Sequence, residues 1–426
     1  MFQFFGIIII IFGVINLVRM TVLLIGADLY NVHFHFKRRK LKNNSYPTIS
    51  IVIPAFNEEK TILRCIDSIF TLDYPAAKIE VIVVDDGSTD TTGEKVINYK
   101  KSHRLNNLSL VSQGHIGKAE ALNLGMKNYT KGQLVMCLDA DSYLTEQSLK
   151  NVARHFYDKN VVALATNVKI AKSRGVLNLV QTFEYIVCHQ MKRAQTFFNI
   201  EYIIGGIGST FRKELLEKLD YYDANTVTED IDLTMKILKG GNKRNRIVYA
   251  SDVITYTQGA LTLADLIKQR SRWKWGRYQT FYKNRSMFFT REKTFTKGLT
   301  WIYLPFAVWC DATFLLEPLV ISYIIAISIV YKDPFTLISA IGVLTFYLTM
   351  NIVAETTMSF KEKIKLVLLA PFMYFLFYLL SFVEYIALIR SLLNLPNLSH
   401  SLTSASHPWQ PIRREGYFGK TSLVES

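Results

Sequence analysis

Two aspartates separated by one residue, Asp139 and Asp141, directly follow the apolar run Leu134–Leu138. Where a chain leaves a strand, carboxylates at this spacing can reach one divalent ion, and oxygen ligands suit Mg²⁺ or Mn²⁺. Aspartates in such positions also form ordinary turns and helix caps. The pair therefore indicates a metal site only in combination with other motifs.

A second acidic pair, Asp85 and Asp86, follows another apolar run, and Lys118 stands at a predicted helix start. A carboxylate can accept hydrogen bonds from a base N–H and from ribose hydroxyls. A lysine beside a helix N-terminus favours a phosphate. The sequence contains neither GxxxxGK[ST] nor GxGxxG, so the usual ATP and dinucleotide fingerprints are absent.

Two later clusters permit a structural or a chemical interpretation. Thr228-Glu229-Asp230 begins an amphipathic helix, where Thr228 is a suitable N-cap and first-turn acids are favoured by the helix dipole. Alternatively, Asp230 is a general base that takes a proton from a sugar hydroxyl. The segment Gln269–Arg277 contains three arginines and two tryptophans. It fits either an aromatic belt at a membrane interface or a clamp for a diphosphate beside a sugar-stacking surface.

The elements that must position these residues are short β-branched runs that alternate with amphipathic stretches. Continuous apolar strands separated by helices predict a doubly wound α/β domain, whose parallel sheet is covered on both faces and binds ligands at the carboxyl ends of its strands. The first four polar clusters along the chain follow the first four predicted strands. The predicted strands are Ser50–Ala55, Lys78–Val84, Leu108–Ser112, Leu134–Leu138 and Val161–Val168, and the predicted helices between them are Glu58–Phe70, a helix from about Asp90, and Gly117–Lys127.

Composition points to a membrane part beside this domain. The 426 residues include 50 Lys and Arg against 35 Asp and Glu, a net charge of +15, while half of the chain is hydrophobic. That apolar fraction excludes a disordered chain. Much of the basic charge flanks apolar segments, which favours the positive-inside bias of a membrane protein over nucleic-acid binding. The four cysteines show no CxxC spacing and indicate neither a disulfide framework nor a zinc site.

The apolar segment Phe2–Ala27 exceeds the roughly 20 residues that cross a bilayer as a helix. It lacks a preceding basic residue and a cleavage site, so an anchor is expected rather than a signal peptide. The cluster Lys37–Lys42 predicts that the chain after it is cytoplasmic. Thr300–Cys310 is either a further crossing or an interfacial helix, and the side of the C-terminus stays open. Three further spans are predicted, at Phe314–Tyr331, Phe335–Ala354 and Lys365–Ile389.

In their order along the chain, these motifs resemble the membrane-embedded, processive family 2 glycosyltransferases, and most of all the bacterial poly-β-1,6-N-acetylglucosamine synthases. The resemblance covers residues 46 to 290 well and the flanking spans in arrangement only. The sequence departs from the family pattern in two places: Lys274 and Trp275 stand where a small residue and Gln are expected, and the glycine-rich stretch before Thr210 lacks the usual Ser-Gly start. The motifs are Pro54-Ala-Phe-Asn-Glu58, Val84-Asp-Asp-Gly-Ser-Thr-Asp90, Gly117-Lys-Ala-Glu-Ala-Leu-Asn123, Leu138-Asp-Ala-Asp141, Thr228-Glu-Asp230 and Gln269-Arg-Ser-Arg-Trp273.

The resemblance implies a nucleotide-sugar site. Asp86, with Asp85, would hold the uridine of a UDP-sugar, and Lys118 would contact the diphosphate. Asp139 would contact the nucleotide and share in metal binding. Arg272 would help to neutralise the leaving UDP.

The resemblance also implies a metal ligand, a base and an acceptor site. Asp141 would bind Mg²⁺ or Mn²⁺, and Asp230 would be the catalytic base. Gly206, within a glycine-rich segment, would lie where the family holds the acceptor sugar. Gln269 and Trp273 would shape the same end of the site.

The implied protein is an α/β chain with a GT-A domain, Rossmann-like with a mostly parallel sheet, plus transmembrane helices. It would be a metal-dependent, inverting enzyme of the bacterial plasma membrane. It would transfer sugar from a UDP-sugar, with UDP-N-acetylglucosamine as the favoured donor, to a growing β-linked polysaccharide and export the polymer. The alternative is a non-processive enzyme that makes a polyprenyl-phosphate-linked sugar, against which Arg272 and Trp273 argue. A small membrane accessory subunit is left open, and no nucleic-acid partner is expected. The expected segments are an N-terminal transmembrane helix at 1–30, a basic linker at 31–45, the cytosolic GT-A domain at 46–290, interfacial and transmembrane helices at 291–390, and a tail at 391–426.

Overall fold

A single eight-stranded sheet organises the central part of the chain. The computed structural model describes residues 2–37, 46–173, 175–240, 244–292, 296–332 and 334–403. The strands are arranged in the order β3-β2-β1-β4-β7-β6-β8-β5. They span β1 (Ile49–Ala55), β2 (Ile79–Asp85), β3 (Leu108–Ser112), β4 (Leu134–Cys137), β5 (Tyr143–Leu144), β6 (Val161–Ile170), β7 (Ser209–Arg212) and β8 (Arg246–Thr257).

The half of the sheet formed by β3, β2, β1 and β4 is parallel. Every residue of β1 is buried, because helices cover both faces of the sheet there. In its register, Ile53 pairs with Val83 of β2 and Val52 pairs with Cys137 of β4. The four strands begin and end within one residue of the ranges predicted from their apolar runs. Their carboxyl ends therefore share one edge, where the polar clusters of the sequence come together.

The other half of the sheet is mixed. β7 runs antiparallel to both β4 and β6, whereas β6 and β8 are parallel. The chain enters β7 from the edge at which the parallel strands end, so β7 must run in the opposite direction. A mixed α/β sheet of the GT-A type is thus confirmed, while the parallel arrangement is limited in this half to the pair of β6 and β8. The residues just before β7 lie at the same edge as the polar clusters.

Helices cover the sheet and connect it to the membrane-side segments. Among them α6 is 23 residues long, and α9 carries the Arg- and Trp-rich segment. These helices are α2 (Ile62–Phe70), α3 (Thr92–Ser102), α4 (Lys118–Tyr129), α5 (Ser148–Phe156), α6 (Val176–Phe198), α7 (Lys213–Lys218), α8 (Glu229–Gly240) and α9 (Leu263–Lys283).

The remaining helices lie at the two ends of the chain. Three stretches in the described residues are long and apolar enough to cross a membrane, namely Gly13–Phe34, Pro334–Ala354 and Phe360–Leu393. A fourth is formed if Gly298–Phe314 and Glu317–Val330, which meet at 50°, make one span. The helices at the two ends of the chain are α1 (Phe2–Lys37), α10 (Leu304–Phe314), α11 (Glu317–Val330), α12 (Pro334–Ala354), α13 (Phe360–Leu369), α14 (Met373–Leu393) and α15 (Leu398–Ser401).

Two details differ from the predicted spans. The range Phe314–Tyr331 contains the 14-residue helix α11, which is shorter than the roughly 20 residues needed to cross a bilayer alone. The segment Thr300–Cys310, left open above, belongs to the helical stretch that joins α11 at the 50° bend. A span here would therefore need both helices.

The N-terminal helix also differs from its expected boundary. It continues past residue 30 to Lys37. The rest of the basic cluster, Arg38–Lys42, lies outside the described residues, as do the tail residues Arg413 and Arg414. The orientation predicted from these charges stays a prediction.

α1 is bonded to the α/β domain. The Tyr30 hydroxyl donates to the Tyr249 carbonyl of β8 at 2.8 Å. The buried Arg193 of α6 donates to the Ala27 carbonyl at 3.0 Å. Because these groups are shielded from water, losing the bonds would leave polar atoms unpaired. The helix therefore packs as part of the folded unit.

Candidate active site

The carboxyl edge of the sheet borders a cavity of about 980 Å³ that extends along α9 to α14. The cavity lies at the edge expected for ligand binding in an open α/β sheet. Eight of the ten residues to which the motifs assign roles line it, although the roles themselves stay predictions. These are Lys118, Asp139, Asp141, Gly206, Asp230, Gln269, Arg272 and Trp273.

Lys118 begins α4 and forms a link between two acidic residues. Its ammonium lies 2.6 Å from Asp139 Oδ1 and 3.7 Å from Glu229 Oε1. Burial alone would lower the pKa of Lys118, but the two carboxylates more than offset this and raise it above its usual value. The side chain thus carries a full positive charge at the N-terminus of a 12-residue helix. Such a position suits the oxygens of a phosphate group.

Asp139 and Asp141 both border the cavity but differ in their surroundings. Asp141 is buried, and its Oδ1 accepts hydrogen bonds from Ser142 Oγ at 2.9 Å and Thr257 Oγ1 at 3.4 Å. Within the described part of the chain, no group of three or more His, Cys, Asp or Glu side chains is arranged to hold a metal ion. Mg²⁺ commonly takes one or two carboxylates and completes its shell with water and substrate phosphates. The donor set therefore fits a divalent ion that binds together with a nucleotide.

Asp230 lies in the first turn of α8 at the cavity wall. The Ile231 backbone N–H donates to its Oδ1 at 2.9 Å. Burial, and then the neighbouring charge of Glu229, raise the pKa of Asp230 to about 6. A carboxylate with this pKa is ionised at neutral pH yet basic enough to accept a proton.

Gly206 lies between the base candidate and the lysine. A β-carbon at this position would be 3.5 Å from Lys118 Nζ and 3.7 Å from Asp230 Oδ2. The segment is tied to α8, because the Ile204 N–H donates to Thr234 Oγ1 at 3.0 Å and that hydroxyl donates to the Asp230 carbonyl at 2.7 Å. A glycine here leaves room for a ligand between the two charged groups.

One face of α9 packs against the start of α8. Gln269, Arg272, Trp273 and Gly276 recur at helical spacing and so share this face. A β-carbon on Gly276 would lie only 2.4 Å from Thr228 Cγ2 and Oγ1. Because residue 276 has no side chain, α9 can pack closely against Thr228, which directly precedes α8.

Asp86 and Asp85 do not line the cavity in the described part of the chain. Asp86 is fully buried, and its carboxylate accepts hydrogen bonds from the backbone N–H groups of Ile116 at 3.1 Å and Gly117 at 3.0 Å. It also lies 2.9 Å from His115 Nδ1. These contacts fix the loop that leads directly to Lys118.

Asp85 closes the turn at the end of β2. Its Oδ1 accepts a hydrogen bond from the Ser88 N–H at 3.0 Å. Gly87 has φ of +78°, and a β-carbon there would lie 2.8 Å from the His115 nitrogen. The turn therefore requires glycine, and it holds the second acidic pair beside the cavity wall.

Two contacts at the site involve residues to which the motifs gave no role. Glu229 pairs with Lys118, and Thr257 at the end of β8 donates to Asp141. In the sequence, Glu229 fits the start of a helix, and β8 is not among the predicted strands. The alternating Val, Ile, Tyr and Thr residues of Arg246–Thr257 are the sequence signal that would have revealed this strand.

The fold and the cavity together define a GT-A glycosyltransferase attached to membrane-side helices. Residues 50–220 match the family described as Glycosyl transferase family 2. This segment of the chain is therefore similar to that family, as the order of its motifs predicted. The match covers β1 to β7 apart from the first residue of β1, and thus both aspartate pairs.

Two curated relatives illustrate the sequence similarity. A poly-β-1,6-N-acetyl-D-glucosamine synthase of Staphylococcus epidermidis is 28% identical over 289 residues, which are 65% of this chain and 67% of that protein. The protein of the same name from Staphylococcus aureus strain COL is 30% identical over 277 residues, 62% of this chain and 64% of that protein. The predicted resemblance to such synthases is confirmed, over about two thirds of their length.

A solved structure shows the same fold. A mannosyltransferase from Pyrobaculum calidifontis, in complex with GDP-Man and Mn²⁺, aligns with 88% of this chain and 96% of its own with a TM-score of 0.52. The two sequences are 20% identical. The likeness therefore supports the architecture of the chain.

Proposed function

We propose that this chain transfers N-acetylglucosamine from UDP-N-acetylglucosamine to a growing β-linked polysaccharide and exports the polymer across the membrane. The observation that carries the proposal is the single cavity in which Asp230, Lys118 and Arg272 meet and which extends to α14. The names of the curated relatives support N-acetylglucosamine as the sugar. Both staphylococcal proteins are polymer synthases by name.

In the proposed reaction, an acceptor hydroxyl attacks C1 of the donor sugar in one displacement. The bond between C1 and the diphosphate oxygen breaks, and UDP leaves with that electron pair. Asp230 takes the proton of the attacking hydroxyl, for which its raised pKa of about 6 is suited. Because attack and departure occur on opposite faces of C1, the configuration inverts and the new linkage is β.

The leaving diphosphate is stabilised by positive charge. Lys118 at the N-terminus of α4 and Arg272 of α9 would bind its oxygens. A Mg²⁺ or Mn²⁺ ion held by Asp141, with Asp139 beside it, would act as a Lewis acid on the same group. Asp86 would act at the uridine end together with Asp85, by ordering the loop at Gly117.

The acceptor end would be formed by Gly206, Gln269 and Trp273. The small space at Gly206 suits a sugar ring next to Asp230, and an indole ring provides an apolar stacking surface. The polymer would leave along α9 toward α14. A cytoplasmic catalytic domain gives the enzyme access to its nucleotide sugar, and dependence on a small accessory subunit stays a prediction.

The test uses the full chain in lipid nanodiscs with UDP-N-acetylglucosamine and either Mg²⁺ or Mn²⁺. We expect UDP release together with a long carbohydrate product, and neither with Asp230→Asn. A single sugar attached to an added polyprenyl phosphate would instead establish the alternative reaction, against which the cavity position of Arg272 and Trp273 argues. UDP release without any glycosidic product would contradict both.

A further inference from the structure

Helix α9 carries a second row of charged residues beside the face that packs on α8. Arg270, Lys274 and Arg277 recur at i, i+4 and i+7 and so lie along one side of the helix. We call these three residues the cationic row. Arg270 belongs to the Gln269–Trp273 motif, whereas Lys274 stands where the family pattern leads one to expect a small residue.

Asp311 of α10 meets the row at two of its residues. Its Oδ1 lies 3.1 Å from Lys274 Nζ, and its Oδ2 contacts the Arg277 guanidinium. The Tyr278 hydroxyl donates to the same Oδ2 at 3.1 Å. Asp311 is 6% exposed, so nearly all of its hydrogen-bonding capacity is directed at α9.

Glu384 of α14 meets the row from another helix. Its Oε2 lies 3.1 Å from Lys274 Nζ, and its Oε1 lies 3.6 Å from the Arg270 guanidinium. Arg270 also pairs with Glu184 of α6 at 2.8 Å. Three acids from three helices therefore surround the three cations of the row.

Stability is a poor explanation for such a network. Removing two charges from water has a large cost, and well-packed apolar side chains in their place are often neutral or stabilising. Glu384 belongs to an apolar stretch long enough to span a membrane, where ionisable residues are costly and usually functional. The directional bonds of the network do, however, fix how α9 is rotated about its axis.

We infer that Asp311 and Glu384 are positioning residues, which act through the cationic row to hold Arg272 on the cavity that it shares with Asp230. Rotation of α9 would carry Arg272 away from the leaving group while leaving the donor pocket around Lys118 in place. The inference rests on the proposed function, because its effect is on sugar transfer. It adds to that function the means by which the membrane-side helices set the geometry of the reaction.

The experiment compares Asp311→Asn and Glu384→Gln with the unmodified chain in nanodiscs. We expect kcat to fall by roughly 10- to 100-fold, the range for a misplaced catalytic group, while KM for UDP-N-acetylglucosamine changes less than about twofold because Lys118 stays in place. The matched control is Glu317→Gln. Glu317 of α11 is also an acid on an apolar helix, but it accepts a hydrogen bond from Ser381 at 2.9 Å, and within the described residues no ion pair joins it to α9. This control should keep the kcat of the unmodified chain.

A second set of variants tests the inference even if the Asp311→Asn protein does not fold. Lys274→Met should lower kcat like Asp311→Asn, and Lys274→Arg should restore most of it, because only the charge is kept. The double variant Lys274→Met/Glu384→Gln should lose less than the sum of the two single losses, since both substitutions remove the same Lys274–Glu384 ion pair.

Two results would overturn the inference. One is a folded Lys274→Met or Asp311→Asn protein with unchanged kcat, and the other is strictly additive losses in the double variant. If the unmodified chain makes no polymer, the proposed function fails instead. A polymerising parent with unaffected variants defeats the positioning role alone.

Discussion

Gly276 approaches Thr228 so closely that a β-carbon on the glycine would overlap the threonine Cγ2 and Oγ1 at 2.4 Å. Thr228 directly precedes α8, and Asp230 lies two residues later. The contact thus sets the separation between α9, which carries Arg272, and the proposed base. Since an overlap of this size cannot be absorbed by a rotamer change at an alanine, one of the two helices would have to move.

Gly276→Ala is therefore expected to impair transfer more than binding of the donor. Overpacking of this kind costs about 1–3 kcal/mol, and displacement of α9 should lower kcat by roughly tenfold or more. Steady-state kinetics of UDP release would measure it. Combination with Thr228→Ala, which removes the two closest of the three overlapping atoms and leaves Cβ at 2.8 Å, should recover part of the loss. Full activity of Gly276→Ala alone would show that the contact does not control the geometry.

The pH dependence of kcat/KM should follow Asp230. The pKa of its carboxyl in the free protein is raised to about 6, and only the ionised carboxylate can accept the proton of the acceptor. We expect kcat/KM to be constant above this pH and to fall tenfold per pH unit below it. A pH–rate profile at UDP-N-acetylglucosamine concentrations well below KM would measure this. A kcat/KM that stays level through pH 6 would argue for another base.

Asp230→Asn should abolish transfer and stabilise the fold. The folded-state pKa lies above the usual 3.8, so the ionised carboxylate reduces stability above about pH 6, and this cost vanishes as the pH falls below 3.8. At pH 7 the uncharged variant should gain roughly 1–3 kcal/mol, because one pKa unit corresponds to about 1.4 kcal/mol. Thermal unfolding in nanodiscs at pH 7, with UDP binding as the control for an intact donor site, would detect it. A destabilised variant, or one that still makes polymer, would contradict the assignment.

Asp141→Asn should weaken the binding of the divalent ion. An amide keeps one oxygen ligand but loses the negative charge, so the Mg²⁺ or Mn²⁺ concentration for half-maximal activity should rise by about tenfold or more. Metal titrations of UDP release would measure the change. Ser142→Ala is the matched control, because it removes a hydrogen bond to the same carboxylate while keeping the charge. An identical titration for Asp141→Asn and the unmodified chain would exclude Asp141 as a ligand.

Asp86→Asn should loosen the loop that leads to Lys118. The amide keeps only one of the two acceptor oxygens. Its NH₂ group would therefore face the backbone N–H of Ile116 or Gly117, which is also a donor. An unpaired buried donor costs about 1–3 kcal/mol. Faster hydrogen exchange at residues 113–118 and weaker UDP binding would follow. Asp220→Asn, which breaks an exposed pair with Lys127, should change neither. Unchanged exchange in Asp86→Asn would refute this role for the carboxylate.

The first half of the sheet was predictable because its signals are local. Apolar runs such as Ile49–Ala55 are buried on both faces, and each ends in a polar cluster, so both the strands and their functional edge can be recognised. The position of Asp139 and Asp141 at the cavity follows from the same rule, whereas Asp230 lies at the start of a helix and only its motif indicated a place there.

The rest depends on contacts between distant parts of the chain. β7 has only four residues, and its antiparallel direction results from the path of the preceding segment rather than from its composition. The burial of Asp86 under its own loop was equally hidden, since a carboxylate that binds backbone N–H groups has the same sequence signature as one that faces a ligand. The partners of the cationic row lie between 34 and 114 residues away from it, beyond the range of any local pattern.

The bonds from Tyr30 and Arg193 that join α1 to the α/β domain have a practical consequence. A fragment beginning near residue 46 would expose the surface that α1 covers and leave Arg193 Nη2 without its carbonyl acceptor Ala27. The first helix is thus part of the packed α/β domain, and biochemical work on this chain should keep it.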